Sequence, residues 1–241
     1  MKYKFETNKR DYSDFSSGRV LYYAANTTAF PVRLASEVIQ RSFDILEKKG
    51  AHGPFKIYDP CCGGGFLLTT IGFLYHDLIS ELIATDYDDK VLEIAKKNLS
   101  LLSKKGLDRR KEEIKGYIKA FGKESHMQAL KSVDYLETLI KKEAIKIVCM
   151  QRDIADLSDF PIKGVNIIIT DIPYGIIVDW RGGRKDPIQN LFENSYNALD
   201  KKRSVLVIIA DKKSKLKHKS FERTQYFKLG KRQIAFFEPL Y

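Results

Sequence analysis

The chain has 241 residues, 44% of them hydrophobic, which is enough to bury one sizeable core and to form a single α/β domain of ordinary size. Its 42 Lys and Arg against 31 Asp and Glu leave a net charge of +11, which favours a polyanionic partner, nucleic acid first, and makes such binding salt-dependent. Cys61, Cys62 and Cys149 cannot build a disulfide framework, the histidines are scattered without zinc-ligand spacing, and no apolar run approaches a signal core or membrane span, so a cytoplasmic chain without metal is expected.

After a polar start, Leu34, Val38, Ile39, Ile45 and Leu46 recur at mostly helical spacing over 34–49, with Gly50 placed to end the helix, and residues 1–50 read as an N-terminal helical extension. Phe55 to Asp59 reads as a short buried strand, Gly63-Gly64-Gly65 turns the chain, and Phe66 to His76 is apolar enough for a helix. A strand from Leu82 to Thr85 stops at Asp86, and a helix over 89–102 buries Val91, Leu92, Ile94, Ala95, Leu99 and Leu102. Residues 103–143 are rich in Lys and Glu and carry Ile114, Ile118, Leu130, Val133, Leu136 and Leu139 at spacings that predict one or two amphipathic helices broken near Gly122, a helical insertion.

Strand character returns at 145–150, 165–170 and 204–210, with a helix over 188–199, and Gln225–Leu229 and Gln233–Phe237 form a closing antiparallel hairpin around Gly230-Lys231-Arg232. Strands alternating with helices predict a Rossmann-like α/β fold: a mostly parallel, seven-stranded sheet with helices on both faces, within one domain spanning 1–241.

In such sheets a ligand lies outside the carboxyl ends of the strands, and Asp59-Pro60-Cys61-Cys62-Gly63-Gly64-Gly65 occupies that place after the first strand. Asp59, Cys61, Gly63 and Gly65 are therefore candidate cofactor contacts. Asp86 ends the second strand about 20 residues on, where a carboxylate can accept from ribose hydroxyls. Asp153 follows the third strand, placed either to bind an adenine amino group or to N-cap a helix over 154–157. The glycines depart from GxGxxG and no P-loop lysine follows them, which points to a mononucleoside cofactor and away from NAD and from phosphoryl transfer.

The fourth strand ends in Thr170-Asp171-Ile172-Pro173-Tyr174-Gly175, which should enter the same crevice. A planar amine is a poor nucleophile because its lone pair is delocalised into the ring. Asp171 and the Ile172 carbonyl could accept its hydrogens, and Pro173 and Tyr174 could supply a rigid turn and a stacking ring that hold it near a methyl donor. A strand ending in a proline-glycine turn with a packed tyrosine is the plainer reading of the same residues.

In that order, the two motifs resemble those of S-adenosylmethionine-dependent amino-methyltransferases of class I, with Ile172 replacing the first proline of the Asn/Asp-Pro-Pro-Tyr pattern. Asp14-Phe15-Ser16-Ser17-Gly18-Arg19-Val20-Leu21-Tyr22, Thr28-Ala29-Phe30-Pro31-Val32-Arg33-Leu34-Ala35-Ser36-Glu37 and Ala120-Phe121-Gly122-Lys123 narrow the likeness to the avilamycin-resistance ribosomal RNA guanine methyltransferase family. The resemblance implies S-adenosylmethionine as cofactor and methyl transfer to a guanine of large-subunit ribosomal RNA, near the site of orthosomycin antibiotics, serving either resistance to them or a housekeeping modification. The residues alone also fit an adenine-amino methyltransferase on DNA or other RNA, or a non-catalytic RNA-binding assembly factor.

If the substrate is RNA, Arg181, Arg184 and Lys185 after the catalytic motif, and Lys212, Lys213 and Lys215 after the fifth strand, should rim the cleft, with Trp180 able to stack a base. Arg19 and Arg33 are further candidates for phosphate contact. The chain is expected to act as a monomer on ribosomal RNA or the large subunit, away from membranes.

Overall fold

The structure is a computed structural model that describes residues 3–23, 29–140, 144–158, 160–172 and 186–241. Pro173, Tyr174, Trp180, Arg181, Arg184 and Lys185 lie outside the described residues. The elements follow in the order α1 Val32–Lys48, β1 Phe55–Asp59, α2 Phe66–Leu74, β2 Ile79–Asp86, α3 Asp89–Ser100, α4 Lys104–Phe121, α5 Glu124–Leu139, β3 Lys146–Gln151, β4 Ile167–Asp171, α6 Pro187–Ala198, β5 Val205–Asp211, β6 Phe221–Leu229 and β7 Arg232–Pro239.

The strands form one seven-stranded sheet in the order β3-β2-β1-β4-β5-β7-β6. The pairs β1 with β2, β1 with β4, β2 with β3 and β4 with β5 are parallel, while β7 runs antiparallel to both β5 and β6. Strand order reverses between β1 and β4, and that switch point opens a crevice at the carboxyl ends of the parallel strands.

Alternation along the strands divides the core. Ile57, Leu82, Ile167, Ile169, Val205 and Val207 join α1, α2, α3, α4 and α5 in one cluster, whereas Tyr58, Ile83, Ile168, Leu206 and Ile208 face α6 and the segment around Phe160 and Ile162. Near-continuous burial of β4 and β5 follows, since both faces of a parallel sheet are covered.

The insertion is two helices. Ser103 caps α4 by accepting the Gly106 N–H at 3.1 Å, and Gly122 ends it with φ +60° before α5 begins. Gly106 is fixed by packing: a Cβ there would lie 1.8 Å from the Ser100 carbonyl oxygen, so the tight passage from α3 to α4 excludes a side chain. Element ends shift by a few residues from expectation, most at β6, which starts at Phe221 and not at Gln225, and the fourth strand also starts late. Val165 makes an isolated bridge to Leu199, and the ladder proper starts at Ile167.

Candidate active site

The carboxyl ends of β1, β2 and β4 bring Asp59, Asp86 and Asp171 to one crevice. Asp59 is 2% exposed and accepts the Cys61 N–H at 3.1 Å. Burial pushes its carboxyl up to about 7, against the Cys61 N–H and the Thr170 hydroxyl that favour the charged form, and the charges of Asp86 and Asp171 push the same way as burial. The positively charged chain thus has an acidic crevice.

Asp86 is committed to the glycine turn as well as facing the crevice. Its Oδ2 accepts the Gly63 N–H at 2.8 Å and its Oδ1 accepts the Asp88 N–H at 3.1 Å. Burial raises its carboxyl above the ordinary range although these donors oppose the rise. The turn is pinned further where Cys62 N–H donates to Thr85 O and Gly65 N–H to Cys62 O. Gly65 has φ +72°, and a Cβ on it would meet the Ala95 Cα at 3.1 Å, so the turn lies flat against α3 only because both positions are small.

Cys61 and Cys62 have thiols pushed up by burial, with the carboxylates of Asp59 and Asp86 adding to the effect. Neither is poised as a thiolate nucleophile. Asp153 accepts the Ala155 N–H at 2.8 Å, which is the turn-capping geometry, and its charge reaches Cys61.

Asp171 ends β4 with its side chain 25% exposed, and Arg232 Nη2 stands 3.6 Å from its Oδ2. The next residue, Ile172, is buried and donates its N–H to Ile209 O at 3.0 Å, which continues the ladder to β5 one step past the strand. Arg232 was not among the residues that the sequence marked. It stands at the start of β7, far along the chain, and only antiparallel pairing with β5, Asp211 opposite Arg232, carries it to the crevice.

A second residue missed by sequence reading ties the crevice to the N-terminal segment. Asn98 of α3 is 1% exposed, donates to Gly64 O at 2.8 Å and Tyr22 O at 3.0 Å, and accepts the Tyr22 N–H at 2.7 Å. A signal existed: Asn98 falls on the apolar stripe of its helix, three residues from Ala95, where a polar residue needs buried partners. Arg110 of α4 completes the joint by donating to Val20 O at 2.9 Å and to Glu113 at 2.9 Å, with its guanidinium 4.3 Å from the Tyr22 ring centroid.

Of the basic candidates, Lys212, Lys213 and Lys215 are exposed just beyond β5, on the crevice edge. Arg19 donates to Gln128 of α5 at 3.2 Å. Arg33 is engaged internally: its guanidinium donates to Glu6 O at 2.6 Å and lies 4.2 Å from the Tyr3 ring centroid. Neighbouring Glu37 holds the same stretch by accepting the N–H groups of Lys4, Phe5 and Glu6. The N-terminal motif around Arg33 therefore fastens residues 4–7 onto α1.

A family model described as rRNA methyltransferase AviRa matches residues 1–232. The 23S rRNA (guanine(2535)-N(1))-methyltransferase of Streptomyces viridochromogenes is 32% identical to the chain over 241 residues, covering 97% of this chain and 94% of that one. Among solved structures, the rRNA methyltransferase aviRa from Streptomyces viridochromogenes superposes with a TM-score of 0.86 at 31% identity, covering 98% of this chain and 96% of that one. TrmN from Thermus thermophilus superposes with a TM-score of 0.53 at 16% identity over 90% of this chain and 51% of its own, a likeness of fold alone.

Proposed function

The chain belongs to the AviRa family of ribosomal RNA methyltransferases, and from that premise we propose that it methylates N1 of a guanine in large-subunit ribosomal RNA with S-adenosylmethionine as donor. The observation that carries the reading is the convergence of Asp59, Asp86 and Asp171 on one crevice beside a glycine turn, at the sheet's switch point. The residues fit the donor: a flat glycine turn leaves room for a nucleoside, and the acidic crevice favours a molecule carrying sulfonium and ammonium charges.

When bound, the donor supplies an electrophilic methyl on sulfur. Asp86 is assigned to the ribose hydroxyls while it keeps Gly63 in place, and Asp59, Cys61, Gly63 and Gly65 form the cradle, with Asp153 beside it. Catalysis falls to Asp171, Ile172, Pro173 and Tyr174. Guanine N1 is a ring nitrogen with one hydrogen, so the cradle inferred for an exocyclic amine acquires a different task. Asp171 accepts the N1 hydrogen, the Ile172 carbonyl accepts from the adjacent exocyclic amine, and Tyr174 stacks on the base. Ile172 suits the role because its N–H is already spent on Ile209, which fixes the peptide at the strand end.

Lys212, Lys213 and Lys215, together with Arg19, Arg181 and Arg184, are assigned to phosphates that orient the target while the base leaves its stack. The protein is proposed to act as a monomer in the cytoplasm. Incubation with methyl-labelled S-adenosylmethionine and, separately, naked ribosomal RNA, large subunits and DNA, followed by nucleoside analysis, tests the reading. N1-methylguanosine from ribosomal RNA is expected; label only in adenosine or in DNA, or no label at all, would overturn it.

A further inference from the structure

Arg232 opens β7, opposite Asp211 at the end of β5, and reaches across β5 to Asp171 on β4. The distance of 3.6 Å from Nη2 to Asp171 Oδ2 is an ion pair longer than a hydrogen bond, so the pairing leaves guanidinium donors unspent. Its Nε is shut off from water and has no hydrogen-bond partner among the described residues. A buried donor left unsatisfied is destabilising, which calls for a reason. The guanidinium carbon lies 5.7 Å from the Phe30 ring centroid, so the N-terminal segment helps hold it at the crevice. The side chain is 26% exposed beside a 25% exposed Asp171, which leaves the pair open on one side.

We propose that Arg232 is a catalytic residue that selects guanine: Asp171 takes the N1 hydrogen while Arg232 donates to O6, where the negative charge collects. The proposal rests on the guanine-N1 reading above. As the N1–H bond breaks, its proton forms an O–H bond on the Asp171 carboxylate, and the electron pair left on N1 is shared with O6 until it forms the N1–CH3 bond, while the methyl's bond to the donor sulfur breaks with its electron pair going to sulfur, leaving the neutral thioether S-adenosylhomocysteine. The carboxylates of Asp59 and Asp86, with Asp211 beside Arg232 in the ladder, oppose a developing anion on the base. A cation placed at O6 offsets that opposition. Complementarity gives selectivity as well. Guanine presents an acceptor at O6 next to a donor at N1, matching a guanidinium next to a carboxylate, whereas adenine presents a donor at N6 next to an acceptor at N1, reversing both.

The experiment compares wild type with Arg232→Met and Arg232→Lys in two measurements. In the first, an RNA fragment carrying guanine or adenine at the target position is bound in the presence of S-adenosylhomocysteine. Wild type is expected to prefer guanine by about tenfold or more, one good bidentate contact's worth, and Arg232→Met to lose that preference. In the second, the single-turnover methylation rate is followed against pH. Arg232→Met is expected to lose about 10²–10³-fold near neutrality, as when one oxyanion donor is removed, and to recover as pH approaches the range where guanine N1 ionises unaided. Arg232→Lys keeps the charge but not the fork, and should fall between them, so it also serves if the Met variant does not fold.

If wild type forms N1-methylguanosine while both variants keep its rate, pH profile and base preference, Arg232 is not catalytic although the enzyme assignment stands. A wild type that forms no methylguanosine on ribosomal RNA would overturn both.

Discussion

The crevice at the ends of β1, β2 and β4 and the strip just beyond β5 lie along the same edge of one sheet and carry opposite charge. The first holds Asp59, Asp86 and Asp171, buried or half-buried and engaged with backbone amides and Arg232. The second holds Lys212, Lys213 and Lys215, exposed to water. Net charge alone describes neither region. A buried carboxylate acts at short range on a small cation, whereas exposed lysines attract a polyanion over about a Debye length, some 8–10 Å at ordinary salt. Under the proposed function, this division would keep a cationic methyl donor and an anionic RNA at separate places along one edge.

Substitutions that break one side of this comparison while sparing the other are its sharpest tests. Replacing Asp171 by Ala should have the largest effect, lowering single-turnover methylation by about 10²-fold or more through loss of the proton acceptor, with cofactor affinity by calorimetry nearly unchanged. A fully active Ala variant would remove Asp171 from the chemistry. Asp86→Ala should weaken the cofactor by about tenfold or more, because it loses both the ribose acceptor and the anchor of the Gly63 N–H, while RNA affinity at fixed salt stays within about twofold. Unchanged cofactor affinity would refute the assignment.

Converting Lys212, Lys213 and Lys215 together to Ala should act the other way round. RNA affinity falls, and the slope of log affinity against log salt becomes shallower by about 2–3 if each lysine meets a phosphate, with cofactor affinity unaltered. An unchanged slope would place the RNA elsewhere. The smallest effect concerns pH. Burial holds Asp59 up to about 7, above its ordinary 3.8, so the folded chain keeps a proton that the unfolded chain releases. Folding stability from this group is present in acid and lost as pH rises from about 4 through about 7. A cationic ligand favours the ionised form, so S-adenosylmethionine should bind more tightly as pH rises through about 7, and Asp59→Asn should flatten both trends. Parallel pH curves for wild type and Asn variant would show that Asp59 is not the titrating group.

Much of this architecture was legible in the sequence. Phe55 to Asp59 was read to the residue because an apolar run ending in Asp-Pro and glycines has few alternatives, and Gly122 marked the break between α4 and α5 because a glycine free of Cβ strain ends helices. Asp86 was read as a cofactor contact from its spacing, but its bond to Gly63 depends on how far β2 advances beside β1, and no local pattern records that register. Arg33 stood out for its charge, and its engagement with Glu6 and Tyr3 became visible only with residues 4–7 folded over α1.

The sequence by itself determined what each segment could be. Alternation of apolar strands with amphipathic helices set a mostly parallel sheet, and the glycine turn and Asp171 marked the strand ends where the crevice carboxylates meet, because periodicity and turn residues act over a few neighbours. Only the tertiary structure decided which distant side chains meet there. Asn98 joins Tyr22 to Gly64 across the α3 packing, and the reversal of β7 delivers Arg232 to Asp171. Both depend on strand order and helix docking, which are set by burial summed over the whole core and not by any residue's immediate neighbours.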